Sequence, residues 1–302
     1  MKAATAPAES GCKPCVVACS LIADGQEMRT AAMRHVLSSS DIENFVDLGF
    51  CMLRGAFGPQ QAAAAVDCVW HRIEQKTAIR RADPATWPDC YDIEEQLCEP
   101  QVVGCFSDLV AEAVAQLVGP DRWRGDRRWG FWPVNFCYGA KAADDYPAHG
   151  WHIDGNWFRH TLNCPNQGLL IIGLFTDIQP GWGGTIVAAG SHKLTARVLG
   201  RHPEGITHTD LFDEALIEPL GNFHEITGNA GDVALCHPFL FHTRGYKRDG
   251  PPRVISNREA GLHEPINLRR QNFADYSPLE RSIVLAHAEQ PTVPKGPRLC
   301  RF

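Results

Sequence analysis

The run Leu169-Leu170-Ile171-Ile172-Gly173-Leu174-Phe175 constrains this chain more than any other stretch. A strand of alternating polarity can leave one face to water, but a strand apolar throughout needs cover on both faces and so belongs in the middle of a sheet. From Arg128 onward its neighbours are short β-type runs broken by Gly and Pro: Trp129 to Tyr138, Trp151 to Gly155, Thr185 to Ala189, Phe223 to Thr227, Asp232 to His237 and Arg253 to Leu262, with the central run extending from Gly168 to Asp177. Many short strands at close spacing are the pattern of a barrel or sandwich. The expected fold is therefore mainly β, with helical additions.

Those additions are read upstream. Ser38-Ser39-Ser40-Asp41 offers caps, and Ile42, Phe45 and Leu48 follow at helical spacing until Gly49. A short strand over Phe50 to Arg54 is expected next. Pro59 then opens a helix from Gln60 to Arg80, with Ala64, Cys68, Ile73 and Ile79 toward the core. Three prolines make Asp83 to Pro100 a loop, and Phe106 to Val118 is an amphipathic helix ended by Gly119-Pro120. Leu194 to Leu220 is polar and irregular, a long insertion suited to a lid. The expected organisation is a disordered tail over 1-35, one domain over 36-290 and a tail over 291-302. Within the domain, a helical brace (36-125) precedes the β core (126-265) and a helix near 275-288.

A formal net charge of -6 with scattered Arg gives no basic field for nucleic acid. No apolar run reaches the roughly 18 to 20 residues of a membrane span. The expected partner is a small-molecule substrate, with the chain a monomer or homodimer. Of the 12 Cys, Cys51, Cys68, Cys105, Cys137 and Cys236 stand singly among apolar residues, as small buried hydrophobes do. Cys12, Cys15 and Cys19 are clustered but lack the fourth ligand of a structural zinc. Lys13-Pro14 interrupts the apolar stretch that a signal sequence ending at Cys19 needs, so a reducing cytoplasm is the expected compartment.

Chemistry enters with Trp151-His152-Ile153-Asp154-Gly155. In extended chain, side chains alternate faces, so His152 and Asp154 point together and Ile153 points away. A barrel that returns the chain to the same place can add His242 as a third ligand. Two His and a carboxylate on one face of an octahedral ion leave positions open, the arrangement of Fe(II) oxygenases. His149, three residues before His152, falls on the opposite face. His237 is an odd five residues before His242, although Pro238 could break that count. One His-x-Asp among 13 His is weak by itself, and its ordinary reading is a hydrogen-bonded strand His.

The ordered set His152-x-Asp154, Gly183-Gly184-Thr185 to Gly190-Ser191-His192-Lys193, Gly231-Asp232 to His237 and His242, then Arg253, resembles the phytanoyl-CoA dioxygenase family. The resemblance spans about Phe50 to Leu262. It implies a double-stranded β-helix (jelly roll, cupin-like) and an Fe(II)- and 2-oxoglutarate-dependent oxygenase that uses O2. It further implies His152, Asp154 and His242 as iron ligands, with His242 preferred to His237. Arg253 would anchor the distal carboxylate of 2-oxoglutarate through paired guanidinium donors, with the Thr185 hydroxyl assisting. An intact Asp154 favours hydroxylation or hydroxylation-triggered demethylation over halogenation. Asn135, Trp157 and Arg244 are candidate substrate contacts. Arg244 stands where the family often has a small hydroxyl residue, a departure that counts against carrying over the acyl-CoA substrate, which stays among the candidates. Two rival functions share the barrel: a zinc or other divalent-metal cupin-like hydrolase or isomerase, which gives Arg253 no role, and a non-catalytic small-molecule binder.

Overall fold

The computed structural model describes residues 35–216 and 219–288. The C-terminal tail and the N-terminal residues up to 34, with Cys12, Cys15 and Cys19, lie outside the described residues. Helix α1 (Ser39–Leu48) is closed by a reciprocal cap: Ser38 Oγ accepts from Asp41 N and the Asp41 carboxylate accepts from Ser38 N. It ends at Gly49, whose φ of 88° suits a residue without Cβ. Strand β1 (Phe50–Leu53) follows, then α2 (Pro59–Lys76). Helix α2 stops short of the expected Arg80 because Thr77 turns extended and its hydroxyl bonds back to Ile73 O at 2.8 Å. Its buried stripe is Ala62, Ala65, Val66, Val69, Trp70 and Ile73 rather than one through Ala64 and Cys68. The bulk of Trp70, packed on Trp87 and Phe136, sets that phase.

The stretch expected as a loop over Asp83 to Pro100 contains strand β2 (Cys90–Ile93), which starts just past Pro88. Short helix α3 (Pro100–Val103) and α4 (Asp108–Val118) precede β3 (Trp132–Asn135), β4 (Leu169–Leu174) and β5 (Thr185–Ala188). The expected irregular insertion over Leu194 to Leu220 is largely helical: α5 (Ser191–Gly200) and α6 (His208–Ala215). Thr195, Ala196, Val198, Leu199, Leu211 and Ala215 carry the buried period, which the polar residues between them dilute. Strands β6 (Phe223–Glu225), β7 (Val233–Cys236), β8 (His242–Arg244) and β9 (Arg253–Ala260) and helix α7 (Pro278–Ala288) complete the described chain.

The strands form two antiparallel sheets, ordered β1-β7-β4-β9-β3-β2 and β6-β5-β8. Strand β4 lies between β7 and β9, as its unbroken apolar character requires. Its Leu169 and Ile171 join Leu235, Val254 and Ala260 in the core shared with the helices. Its Leu170, Ile172 and Leu174 join Cys236, Ile255 and Val187 of β5 between the sheets. Two antiparallel sheets facing each other over this inner layer are a double-stranded β-helix, with α7 packed on α1, α4 and α5 as the brace. Gly173 is required where β4 passes Trp129, because a Cβ there would lie 2.8 Å from the indole.

Candidate metal centre

The expected strand over Trp151 to Gly155 is a single bridge: His152 and His242 exchange backbone hydrogen bonds of 3.0 and 2.9 Å, which sets His152 beside β8. Gly150 (φ 80°) and Gly155 (φ 104°) bend the chain away on either side. Alternation nevertheless holds across the bridge, with Ile153 buried in the core and both neighbours turned the other way. Asp154 Oδ1 lies 3.6 Å from His152 Nε2 and 3.7 Å from His242 Nε2. The turn that presents Asp154 is fixed from outside: His160 Nε2 bonds Gly155 O at 2.8 Å, and His208 Nε2 bonds Ile153 O at 3.0 Å.

Each ligand imidazole is oriented by its far nitrogen. His152 Nδ1 bonds Gly150 O at 2.7 Å and His242 Nδ1 bonds Leu240 O at 3.1 Å, so both donate there and present an Nε2 lone pair inward. His242 Nε2 is buried with no hydrogen-bond partner among the described residues. A buried acceptor with no donor costs about 1–3 kcal/mol. That cost is explained if a cation takes its place among three ligand atoms lying within 4.8 Å of one another.

Electrostatics agree with a cation-ready, proton-free site. Burial pushes His242 down to about 4; burial and then the neighbouring His242 push His152 down to about 4, against the raising pull of Asp154. Both rings are neutral at pH 7 and ready to ligate. Burial raises the Asp154 carboxyl, with His152 and His208 opposing. His149 is exposed, and His237 is buried against His192 with ring centroids 4.9 Å apart, so neither joins the cluster.

The His192 pair makes stability depend on pH. Burial lowers His192 from 6.5 to about 3, so the folded state keeps it neutral while the unfolded chain protonates it. Its contribution is complete above the unfolded value and is lost as pH falls toward the folded one. At pH 5 the loss is about 2 kcal/mol from His192 alone. His237, His152 and His242 act in the same sense, and Glu259 and Asp154, whose carboxyls are raised, in the opposite one. Thermal denaturation of the metal-free protein should show a melting temperature that drops from about pH 7 to about pH 5; a flat or rising profile would contradict this balance.

Arg253 opens β9 on the face shared with Ile255, Asn257 and Glu259, toward the space between the sheets. It is 1% exposed; Nε bonds Gly183 O at 2.8 Å, Nη1 bonds Pro133 O at 2.9 Å, and Nη2 makes no hydrogen bond among the described residues. Burial and then Arg244 lower it to about 9, so it remains charged at pH 7. Thr185 is buried on β5, and its hydroxyl makes no hydrogen bond among the described residues. Asn135, the register partner of Arg253, is tied to backbone: Nδ2 bonds Gly245 O and Oδ1 accepts from Tyr138 N, both at 3.0 Å. Arg244 is turned to Asp92 at 2.5 Å. Asn135, Arg244, Arg253 and Thr185 do not border the cavity beside the triad, whereas Trp157, 65% exposed, stands at it.

That cavity, about 480 Å³, is bordered by His152 and Asp154 and by residues the sequence reading had not singled out: Glu94, Phe131, His208, Asn257 and Glu259. Burial and then Asp154 push Glu259 up to about 7. Phe131 has a φ of 40°, a left-handed conformation that costs a bulky residue about 1–3 kcal/mol, and its carbonyl accepts from Asn257 N at 3.0 Å. Asn257 and Glu259 had a signal: they lie at even spacing from Arg253 on one strand, so parity puts them on its face. Phe131 and His208 had none, since a left-handed residue and a helix inside a polar stretch are not visible in residue type.

No family model matches the chain, and no curated protein matches it. Among solved structures it is similar to the epimerase SnoN in complex with Fe3+, alpha ketoglutarate and nogalamycin RO, with a TM-score of 0.50 and 14% identity over 72% of this chain and 80% of that one. HygX from Streptomyces hygroscopicus with nickel and 2-oxoglutarate bound scores 0.47 at 14% identity, over 75% and 88%. EctD from S. alaskensis in its apoform scores 0.45 at 16% identity, over 81% and 84%. At these identities the likeness concerns the fold alone, and the two lower scores carry no argument.

Proposed function

We propose that this chain is an Fe(II)- and 2-oxoglutarate-dependent dioxygenase that hydroxylates or oxidatively demethylates a small molecule, within one catalytic domain over 36-290. The observation that carries the reading is the convergence of two neutral imidazole lone pairs and one carboxylate oxygen, with His242 Nε2 left without a partner. That the similarly folded SnoN holds Fe3+ and alpha ketoglutarate supports it. His152, Asp154 and His242 would hold the metal, Arg253 would take the distal carboxylate of the 2-oxoacid, and Thr185 would add a hydroxyl donor. When bound, iron with 2-oxoglutarate and O2 supplies the oxidation of a C–H bond, yielding succinate and CO2. The chain's own contribution is positional: carbonyls of Gly150 and Leu240 lock the ligand tautomers, His160 and His208 hold the turn at Asp154, and the fold buries Arg253.

A charged, buried Arg on the inner face whose Nη2 makes no hydrogen bond among the described residues favours this reading over a zinc hydrolase or isomerase, which would use only its bonds to the Gly183 and Pro133 carbonyls. Oxygen-dependent conversion of 2-oxoglutarate to succinate is the test. Turnover is expected with Fe(II) and none with Zn(II); a protein that holds iron and 2-oxoglutarate yet forms no succinate, with or without candidate substrates, defeats the proposal.

A further inference from the structure

The cavity beside the triad has a sign. Glu259 lies opposite Leu170 in the β4/β9 register, on the side of the sheet that faces the inner layer. Its carboxylate makes no hydrogen bond and no ion pair among the described residues, and the same is true of Glu94 at the cavity edge. Arg258, the guanidinium among the described residues that border the cavity, has the opposite strand parity and is held by Asp126, although its buried Nε makes no hydrogen bond among the described residues and its charge draws the Glu259 carboxyl down against burial. Asn257, two residues from Glu259 on the same side, has a buried Oδ1 without a donor. The Glu259 and Glu94 carboxylates and Asn257 Oδ1 thus accept no hydrogen bond among the described residues. Two large aromatics stand exposed at the same cavity, Trp157 at 65% and Phe131 at 39%. Exposed rings beside unpaired carboxylates suit a cation, which gains from ring faces as well as from acids.

We infer that the substrate is an organic cation with N–H donors, an ammonium or guanidinium compound, seated with its charge on Glu259 and Glu94 and its carbon skeleton between Trp157 and Phe131. The inference rests on the triad being the reaction centre, because the substrate's C–H bond must lie between that wall and Asp154. An N–H-bearing cation is preferred to a quaternary ammonium because Asn257 Oδ1 and the carboxylates are acceptors that it can satisfy directly. Anionic substrates are disfavoured: they would meet the Glu259 and Glu94 side chains, while Arg258 is paired with Asp126 and Arg244 is paired with Asp92 outside the cavity. A volume near 480 Å³ lies in the range of small-ligand sites.

The test titrates three chain-length-matched probes, 1,6-diaminohexane, 1,6-hexanediol and adipate, into the zinc-loaded protein and into the metal-free protein, each with excess 2-oxoglutarate so that adipate does not report on the dicarboxylate site, read by calorimetry. Only the diamine is expected to bind. Its affinity should fall at least about tenfold in Glu259→Gln, by less in the more exposed Glu94→Gln, and several-fold in the wild type when salt rises from about 0.05 M to about 0.5 M. Equal binding of the diol or adipate, no binding of the diamine, or unchanged diamine affinity in Glu259→Gln would overturn the inference. The salt series on the wild type keeps the test decisive should a variant fail to fold. A 2-oxoglutarate titration of the wild-type iron protein runs in parallel. If that fails while the diamine binds through Glu259, the reaction-centre reading falls and the cation site stands; the reverse pattern removes the cation site alone.

Discussion

Asp154→Ala is expected to lose metal binding and 2-oxoglutarate turnover together, with no loss of stability in the metal-free protein. The carboxylate supplies the only negative charge among the three ligand atoms, and its oxygen lies at similar distances from both imidazole nitrogens. Without it a divalent ion would be held by two neutral rings. Removal of an outer partner of a ligand typically costs 10–100-fold in affinity, so loss of the ligand itself should cost at least about a hundredfold. Stability should behave differently. Burial raises the Asp154 carboxyl, which means the ionised group is costly where it stands. Alanine relieves that cost. The wild type should gain about 2.7 kcal/mol at a metal concentration a hundred times its Kd, and the variant should gain almost nothing. Melting curves with and without metal check both halves, and a variant that keeps the wild-type metal-dependent shift would contradict the assignment.

Arg253→Ala is expected to weaken 2-oxoglutarate binding while leaving metal affinity near the wild-type value. Hydrogen bonds from a charged donor contribute about 1.5–3 kcal/mol, so a loss of roughly ten- to a hundredfold should appear in the 2-oxoglutarate requirement. Arg253 also holds Gly183 O and Pro133 O, and alanine leaves both carbonyls buried and unpaired, so some stability is lost as well. Arg253→Lys separates the two roles: it keeps the charge but not the fork, and its 2-oxoglutarate affinity should fall between the other two. A variant in which metal affinity falls as far as 2-oxoglutarate affinity would make Arg253 a purely structural residue.

The sequence was most legible where one physical rule decided the outcome. Unbroken apolar character placed β4 in mid-sheet, and Gly49 fixed the end of α1, while its start fell within the Ser38-Ser39-Ser40-Asp41 run of caps, at Ser38. Parity brought His152 and Asp154 together, even though only one bridge of strand is formed there, because alternation needs extended chain and not a full ladder. What was illegible depended on partners distant in sequence. Strand β2 is defined by its pairing with β3 rather than by its own residues. The phase of α2 follows from Trp70 meeting Trp87 and Phe136, and α5 and α6 owe their helicity to a buried stripe hidden among polar neighbours. The cavity wall lay half in view: Asn257 and Glu259 share the parity of Arg253, but that both lack a protein donor becomes visible only when the chain is folded.

In the proposed site His152, Asp154, His242 and Arg253 together hold iron and a 2-oxoacid. Anaerobic titration of 2-oxoglutarate into the Fe(II)-loaded protein, followed by visible absorbance, tests it most directly. A charge-transfer band that saturates near about one equivalent is expected, absent when Zn(II) replaces iron, because chelation of the 2-oxoacid at the open positions of a facial triad is what produces it. A protein that demonstrably holds iron but develops no band at saturating 2-oxoglutarate would contradict the claim.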